Sequence, residues 1–119
     1  MDIRGDGMET KVEYEVIDER TLKDKQLKII KHYGPNKQLE QLVEECGELI
    51  VAIAKFQRSA QSLGIKKKVP SEELNNLIQE MADVENLIEQ IKFDYHLISE
   101  GIKRVKVYKV NRELDRIRR

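Results

Sequence analysis

Two stretches of the chain repeat apolar residues at the three- and four-residue spacing of an amphipathic helix. The first runs from Leu39 to Phe56, and the second runs from Leu74 to Ile91. This spacing places the apolar side chains of each stretch along one side of a helix, with charged residues elsewhere on its surface. The pattern therefore predicts a domain in which helices pack against one another.

Capping and stop residues give the expected ends of the helices. The first helix is predicted to begin between residues 18 and 21 and to end at Gly34-Pro35, a strong stop signal. Asn36 is the expected N-cap of a second helix that ends near Leu63, before Gly64.

Ser71 is the expected cap of the third helix. The stretch from Asp94 to Gly101 is predicted to be a break or a connecting turn, and a last helix then extends to about Ile117. Four helices in residues 18–119 predict an all-α domain of the four-helix-bundle type.

Residues 1–17 are predicted to be a flexible or extended N-terminal arm outside the helical domain. Val12, Tyr14 and Val16 alternate with charged residues, which is the pattern of a half-buried strand. Because a lone strand is not stable, this segment is either an extended arm or pairs with another subunit.

The charge of the chain is unevenly distributed, although its net value is zero. Residues 101–119 contain eight basic and two acidic side chains, a net charge of +6, so residues 1–100 carry −6. This asymmetry is compatible with a cation-dependent site beside a phosphate-binding segment, with nucleic-acid binding by the basic end, or with charge pairing between helices.

The compartment is predicted from cysteine content and from the apolar runs. A single cysteine, Cys46, excludes an intramolecular disulfide and is typical of a reducing compartment. The longest strongly apolar run, Leu49 to Ala54, is too short to span a membrane, and residues 1–15 contain no apolar signal segment. We expect a cytoplasmic protein without a membrane partner.

Acidic residues recur at helical spacing in both long stretches. Glu44, Glu45 and Glu48 are three and four residues apart, and Glu80 and Asp83 are three apart. On helices these spacings bring the carboxylates to one side. Most glutamate clusters on helices are simply solvated surface.

Apolar neighbours favour an inward position for two of these acids. Leu42 and Leu49 flank Glu45, while Leu77 and Val84 flank Glu80. Carboxylates that face a helix interface cost several kcal/mol to desolvate unless a proton, a cation or a metal ion compensates them. Since the ligands would all be oxygen atoms, the pattern predicts Mg²⁺, with Mn²⁺ as a substitute.

The sequence resembles the MazG-like all-α nucleoside-triphosphate pyrophosphohydrolases. The resemblance lies in the segment 38–56 (QLEQLVEECGELIVAIAKF), followed by Glu80-Met81-Ala82-Asp83. The signature of this family is E-E-x-x-E on one helix and E-x-x-D on the next. The resemblance covers about residues 32–117, and the stretch between the two halves is longer than in compact members of the family.

The resemblance implies Mg²⁺-dependent cleavage of (d)NTP to (d)NMP and pyrophosphate, a reaction suited to removing unwanted nucleotides. It implies four metal ligands: Glu45, Glu48, Glu80 and Asp83. Catalysis would involve Glu45 as a ligand and Glu44 as a further ligand or as the group that orients the attacking water. The implied substrate-binding residues are Gln38, Lys109, Asn111 and Arg112. The resemblance also implies a homo-oligomer, either a dimer or a tetramer, because small members complete their core and active site across subunits.

Other interpretations of the sequence remain open. A non-enzymatic helical module would bind a partner protein through its apolar stripes. Nucleic-acid binding by the basic end is disfavoured, because residues 1–100 carry −6 and no aromatic stacking platform is evident. Tyr33 and Tyr108 are candidates for stacking on a base, although packing is the commoner role of a single tyrosine.

Overall fold

The protein is described by a computed structural model in which residues 14–63 and 71–118 are placed. These residues form four α-helices and no strand. The helices are α1 (Glu19–Tyr33), α2 (Pro35–Leu63), α3 (Ser71–Asp94) and α4 (His96–Arg118). The prediction of an all-α fold is thus confirmed, and residues 14–17 lie outside the helices. The rest of the predicted arm and the 64–70 loop lie outside the described residues.

An aspartate cap fixes the start of α1. The Oδ1 atom of Asp18 accepts a hydrogen bond from the backbone N–H of Thr21 at 2.7 Å. This bond satisfies one of the free N–H groups of the first turn, and it lowers the pKa of Asp18 below its usual value. The predicted start of the first helix is confirmed.

The junction between α1 and α2 depends on Gly34. Its φ of 84° lies in the left-handed region, which glycine adopts without strain, and its N–H donates to the carbonyl of Ile30 at 2.8 Å. Pro35 is then the first residue of α2, where its fixed φ suits a helix and its missing N–H is not needed. The prediction of Asn36 as the N-cap of α2 is therefore wrong, since Asn36 already lies inside this helix.

Helices α2 and α3 form an antiparallel hairpin. Near one end of the pair, Nε2 of Gln90 donates to Oε1 of Gln38. Towards the other end, Ala52 and Asn76 line the same cleft. The residue number rises on one helix as it falls on the other, as antiparallel packing requires. Helix α1 packs on both, and more extensively on α3.

The core of the described residues is small and partly polar. Its buried apolar side chains are Ile30, Ala52, Leu77, Leu87 and Ile91. Four amide side chains are buried with them: Gln26, Gln38, Asn75 and Gln90. Nε2 of Gln26 donates to Oδ1 of Asn86 at 2.9 Å, linking α1 to α3 as the Gln38–Gln90 bond links α2 to α3. These bonds offset the cost of desolvating the amides and fix the register of the helices.

The break between α3 and α4 is shorter than the sequence predicted. Only Tyr95 lies outside the two helices. Its N–H donates to the carbonyl of Ile91 at 3.2 Å, and its carbonyl accepts from Ser99 at 3.1 Å, so helical hydrogen bonding continues on both sides. The prediction of a break or turn extending to Gly101 is wrong, because Gly101 lies inside α4. A single glycine within a helix lowers the stability of that helix by only about 1 kcal/mol relative to alanine.

Much of the apolar surface of the hairpin is exposed. On α2, Leu39, Val43, Cys46 and Ile50 follow one another at spacings of four, three and four residues, and all four are exposed. Val43 retains 74% of its accessible surface and Ile50 retains 68%. This spacing is that of a seam between two helices, yet among the described residues no other helix covers it.

Helix α4 is even less covered. None of its residues is buried, and within the described chain it lies close to α3 alone. Its apolar stripe, formed by residues at helical spacing, is exposed throughout: Val107, Val110, Leu114 and Ile117. A helix with such a stripe gains most of its stability from packing, and within the described chain no helix covers the stripe of α4.

Two neighbouring isoleucines of α1 offer a matched test of this core. Ile30 is fully buried, whereas Ile29 retains 41% of its accessible surface. Ile30→Ala should lower the free energy of unfolding by about 2–5 kcal/mol, because it leaves a cavity. Ile29→Ala should cost less than about 1 kcal/mol. Urea denaturation of the two variants measures the difference, and equal losses would contradict the packing described for α1.

Candidate metal centre

Three carboxylates from α2 and α3 converge on one point. Glu45, Glu48 and Glu80 each place one oxygen so that the three atoms lie within 4.8 Å of one another. The three-residue spacing on α2 brings Glu45 and Glu48 to the same side of that helix. Antiparallel packing then brings Glu80 opposite them, and Asp83 follows one turn later, within reach of Glu45.

Two oxygens of this cluster are buried without a hydrogen-bond donor. They are Oε2 of Glu45 and Oε2 of Glu80. Oε1 of Glu45 is satisfied, since it accepts from Nε2 of Gln41 at 2.9 Å. Within residues 14–63 and 71–118, no basic side chain forms an ion pair with the cluster. A buried carboxylate oxygen without a donor or cation is costly, so a bound proton or cation would stabilise this arrangement.

The pKa values of three carboxyls rise in response to this crowding. The hydrogen bond and negative charge of Glu45 raise the pKa of Glu48, whose side chain is itself exposed. Loss of solvation raises the pKa of Glu80, and the charges of Glu48 and Asp83 add to the effect. Loss of solvation and the charge of Glu45 raise the pKa of Asp83. The cluster therefore favours binding of a proton or a cation.

The residues of the cluster suit a hard divalent cation. Their donor atoms are all carboxylate oxygens, which Mg²⁺ and Mn²⁺ prefer, and no cysteine or histidine belongs to the cluster. The two buried oxygens without donors are the groups that such an ion would satisfy. The arrangement thus fits Mg²⁺ on the observed donor set, although acidic clusters also occur without metal.

An open cleft adjoins the cluster. It has a volume of about 530 Å³, and its lining residues are Glu44, Gly47, Glu48, Val51, Ala52, Asn76 and Glu80. Glu44 is exposed at its edge. A Cβ atom added to Gly47 would meet nothing within 4 Å, so no helix of the described chain requires glycine there. The open space at Gly47 leaves room for a ligand or a second chain.

None of the predicted substrate-binding residues belongs to the cluster or lines the cleft beside it. The side chain of Gln38 is buried and bonded to Gln90. Lys109, Asn111 and Arg112 are exposed on α4, which does not approach α2 within the described chain. The guanidinium of Arg112 lies 5.9 Å from the ring centroid of Tyr108. The roles assigned to these four residues stay predictions.

Two polar residues that border the cluster are not among the residues predicted from the sequence. Gln41 bonds to Glu45, and Asn76 lines the cleft beside Glu80. Both lie four residues before the acid they adjoin, so helical spacing alone would have found them. Glutamine and asparagine carry no charge, so the pattern of acidic residues does not indicate them.

Comparison of the chain with protein-family models, with curated proteins and with solved structures found no match. Within the described residues, no helix combines the length and the apolar character needed to cross a membrane. The described structure defines an all-α chain with a carboxylate cluster between two antiparallel helices.

The crowded carboxylates make a prediction for the metal-free protein. Because their pKa values are raised in the folded state, folding binds protons, and the free energy of unfolding falls as the pH rises above about 4. Glu80→Gln removes one of the repelling charges. In EDTA at pH 8 it should raise the melting temperature by roughly 2–6 °C, which is on the order of 1 kcal/mol.

Glu85→Gln is the matched control, since Glu85 is an exposed acid on the same helix outside the cluster. The increase in melting temperature of Glu80→Gln over the wild type should shrink as the pH falls towards 4. The difference in melting temperature between Glu85→Gln and the wild type should not follow this trend. A Glu80→Gln variant that is less stable than the wild type at pH 8 in EDTA would contradict the repulsion inferred here.

Proposed function

We propose that the protein is a Mg²⁺-dependent nucleoside-triphosphate pyrophosphohydrolase that converts (d)NTP and water to (d)NMP and pyrophosphate. The observation that carries the proposal is the carboxylate cluster, with two buried oxygens lacking donors beside an open cleft. The choice of a triphosphate substrate rests on the sequence resemblance. Removal of non-standard or excess nucleotides is the role that such an activity suggests, and a cytoplasmic location stays a prediction.

The proposed ligands of Mg²⁺ are Glu45, Glu48, Glu80 and Asp83, and Mn²⁺ is the expected substitute. When bound, the ion would supply positive charge to phosphate oxygens and to an attacking water. Gln41 holds the carboxylate of Glu45 in place through its 2.9 Å hydrogen bond. Glu44 is exposed at the edge of the cleft, where its carboxylate is suited to orient water or accept its proton.

Within residues 14–63 and 71–118, no basic side chain belongs to the cluster or lines the cleft beside it. Lys109 and Arg112 carry suitable charge, and Asn111 could donate to a phosphate oxygen, but α4 holds them away from α2. A second copy of the chain could supply these residues. The proposed enzyme is therefore a homo-oligomer, a dimer or a tetramer.

The exposed apolar side of the hairpin supports self-association. On α2, the exposed residues Leu39, Val43, Cys46 and Ile50 lie on the side of the helix away from Gln41, Glu44 and Glu48, since successive residues are rotated by about 100°. On α3, Ile78 and Met81 are exposed on the side away from Asn76 and Asp83. Two copies packed through these apolar sides would form a four-helix core and leave both acidic sides open.

The same exposed surfaces favour one alternative, a helical module that binds another protein without catalysis. The uncovered stripe of α4 is the specific observation in its favour. The alternative gives no role to the buried carboxylate oxygens without donors. It therefore predicts that Mg²⁺ leaves the melting temperature unchanged, whereas the enzyme should be stabilised by Mg²⁺ through mass action.

Hydrolysis of a panel of NTPs and dNTPs tests the proposed activity. With Mg²⁺, at least one substrate should yield the monophosphate and pyrophosphate, and EDTA should abolish the reaction. Glu80→Gln should reduce kcat by at least about a hundredfold, because it removes a metal ligand, while the variant stays folded. Glu85→Gln should keep wild-type activity. Release of orthophosphate instead of pyrophosphate, or an active Glu80→Gln variant, would contradict the proposal.

Light scattering tests the proposed assembly. The wild type should have the mass of a dimer or a tetramer. Val43→Glu places a charge at the centre of the exposed seam and should yield a folded monomer. Leu22→Glu changes an exposed apolar residue of α1 and should leave the assembly intact. A monomeric wild-type protein would remove the support for a shared site.

A further inference from the structure

A second cleft lies at the junction of α1 and α2. It has a volume of about 350 Å³ and is lined by Tyr33, Lys37, Gln38 and Gln41. This volume is within the range of small-molecule sites, which hold a ligand between a few polar groups and a flat or apolar wall. Neither the carboxylate cluster nor the proposed hydrolysis accounts for this cleft.

The second cleft is continuous with the carboxylate cluster along α2. Lys37, Gln41, Glu44 and Glu48 follow one another at spacings of four, three and four residues, so they share one side of the helix. Gln41 belongs to both regions, because it lines the cleft and donates to Glu45 at 2.9 Å. The helical rise places Lys37 about 12 Å from Glu45, which is close to the reach of a nucleotide from its inner phosphates to its base.

The side chains of the cleft suit a flat ring with a polar edge. Tyr33 retains 57% of its accessible surface, and the ring of His32 contacts it edge-on with centroids 4.6 Å apart. Lys37 is exposed and forms no ion pair among the described residues, so its ammonium is free to donate. Gln41 uses its Nε2 on Glu45, which leaves its Oε1 to accept a hydrogen bond.

We propose that this second cleft binds the base of the nucleotide, with Tyr33 stacked on the ring and with Lys37 and Gln41 at its polar edge. The proposal rests on the proposed function, since it assigns the triphosphate to the carboxylate cluster. It also fixes the direction of the substrate along α2, with the base towards Pro35 and the phosphates towards Glu48. Gln38 forms part of the wall and is held there by Gln90.

Two other candidate positions for a base among the described residues match this chemistry less well. The 530 Å³ cleft beyond Glu48 has no aromatic residue in its lining. Tyr108 is exposed on α4, but the guanidinium of Arg112 lies over its ring at 5.9 Å, and α4 does not approach α2 within the described chain. Tyr33 is the exposed aromatic residue that lines a cleft bordering the cluster.

Kinetics with two kinds of substrate test the assignment. Tyr33→Leu should raise KM for the preferred NTP by about fivefold or more, because stacking on a base is lost, and should leave kcat unchanged. Hydrolysis of inorganic tripolyphosphate, which has no base, should be the same in wild type and variant. Tyr108→Leu tests the other tyrosine that is a candidate for stacking on the base. An unchanged KM in Tyr33→Leu, or an increase found only in Tyr108→Leu, would overturn the proposal.

Binding without metal separates this proposal from the proposed function. In EDTA, nucleoside 5′-monophosphates at millimolar concentration should shift the NMR signals of Tyr33, Lys37 and Gln41 in the wild type, whether or not the protein hydrolyses any triphosphate. Ribose 5-phosphate should not shift them, and Tyr33→Leu should lose the response at the other two residues. Absence of these shifts in the wild type would refute base binding in this cleft, even in a protein that hydrolyses NTPs.

Discussion

The packing of α2 against α3 brings like charges together at one level of the interface between the two helices. Helical spacing collects Glu45 and Glu48 on α2, and antiparallel packing sets Glu80 and Asp83 opposite them. Apolar residues of α3 before and after these acids, Leu77 and Leu87, are buried, although the carboxylates repel each other and lose solvation. At the level where these charges weaken the fold of the metal-free chain, a bound proton or cation would be stabilising. The proposed metal centre follows from this conflict between packing and electrostatics.

Because the core is small, much of the apolar surface of the hairpin remains exposed to solvent. Only five apolar side chains are buried in the described residues, and buried amide pairs occupy other interior positions. The amide bonds specify how α1 and α2 align with α3, but they add little net stability. The exposed seam around Val43 and the uncovered stripe of α4 are therefore available for association. Such association would add the apolar burial that the single chain lacks.

The acidic residues and the basic residues proposed for function lie on different helices. The carboxylates are on the hairpin, and the basic residues considered for phosphate binding are on α4, which among the described helices lies near α3 alone. Among the described residues no basic side chain pairs with the acidic cluster, so the proposed enzyme would need both a metal ion and a second copy to bind a triphosphate. The second cleft at Tyr33 lies on the same side of α2 as the acids and would need no contribution from another chain.

The sequence by itself determined the helices and the identity of the clustered acids. Periodic apolar residues, the Asp18 cap and the Gly34-Pro35 stop are local signals, so the first helix was predicted correctly. The Asn36 cap and the long break after Asp94 were wrong, because backbone hydrogen bonds at Gly34 and Tyr95 decided those ends. Only the tertiary structure showed that oxygens of Glu45 and Glu80 are buried without donors, that Gln38 is bonded to Gln90, and that α4 remains apart from α2. Spacing along a helix specifies which residues share a side, but the packing of one helix on another decides what that side faces.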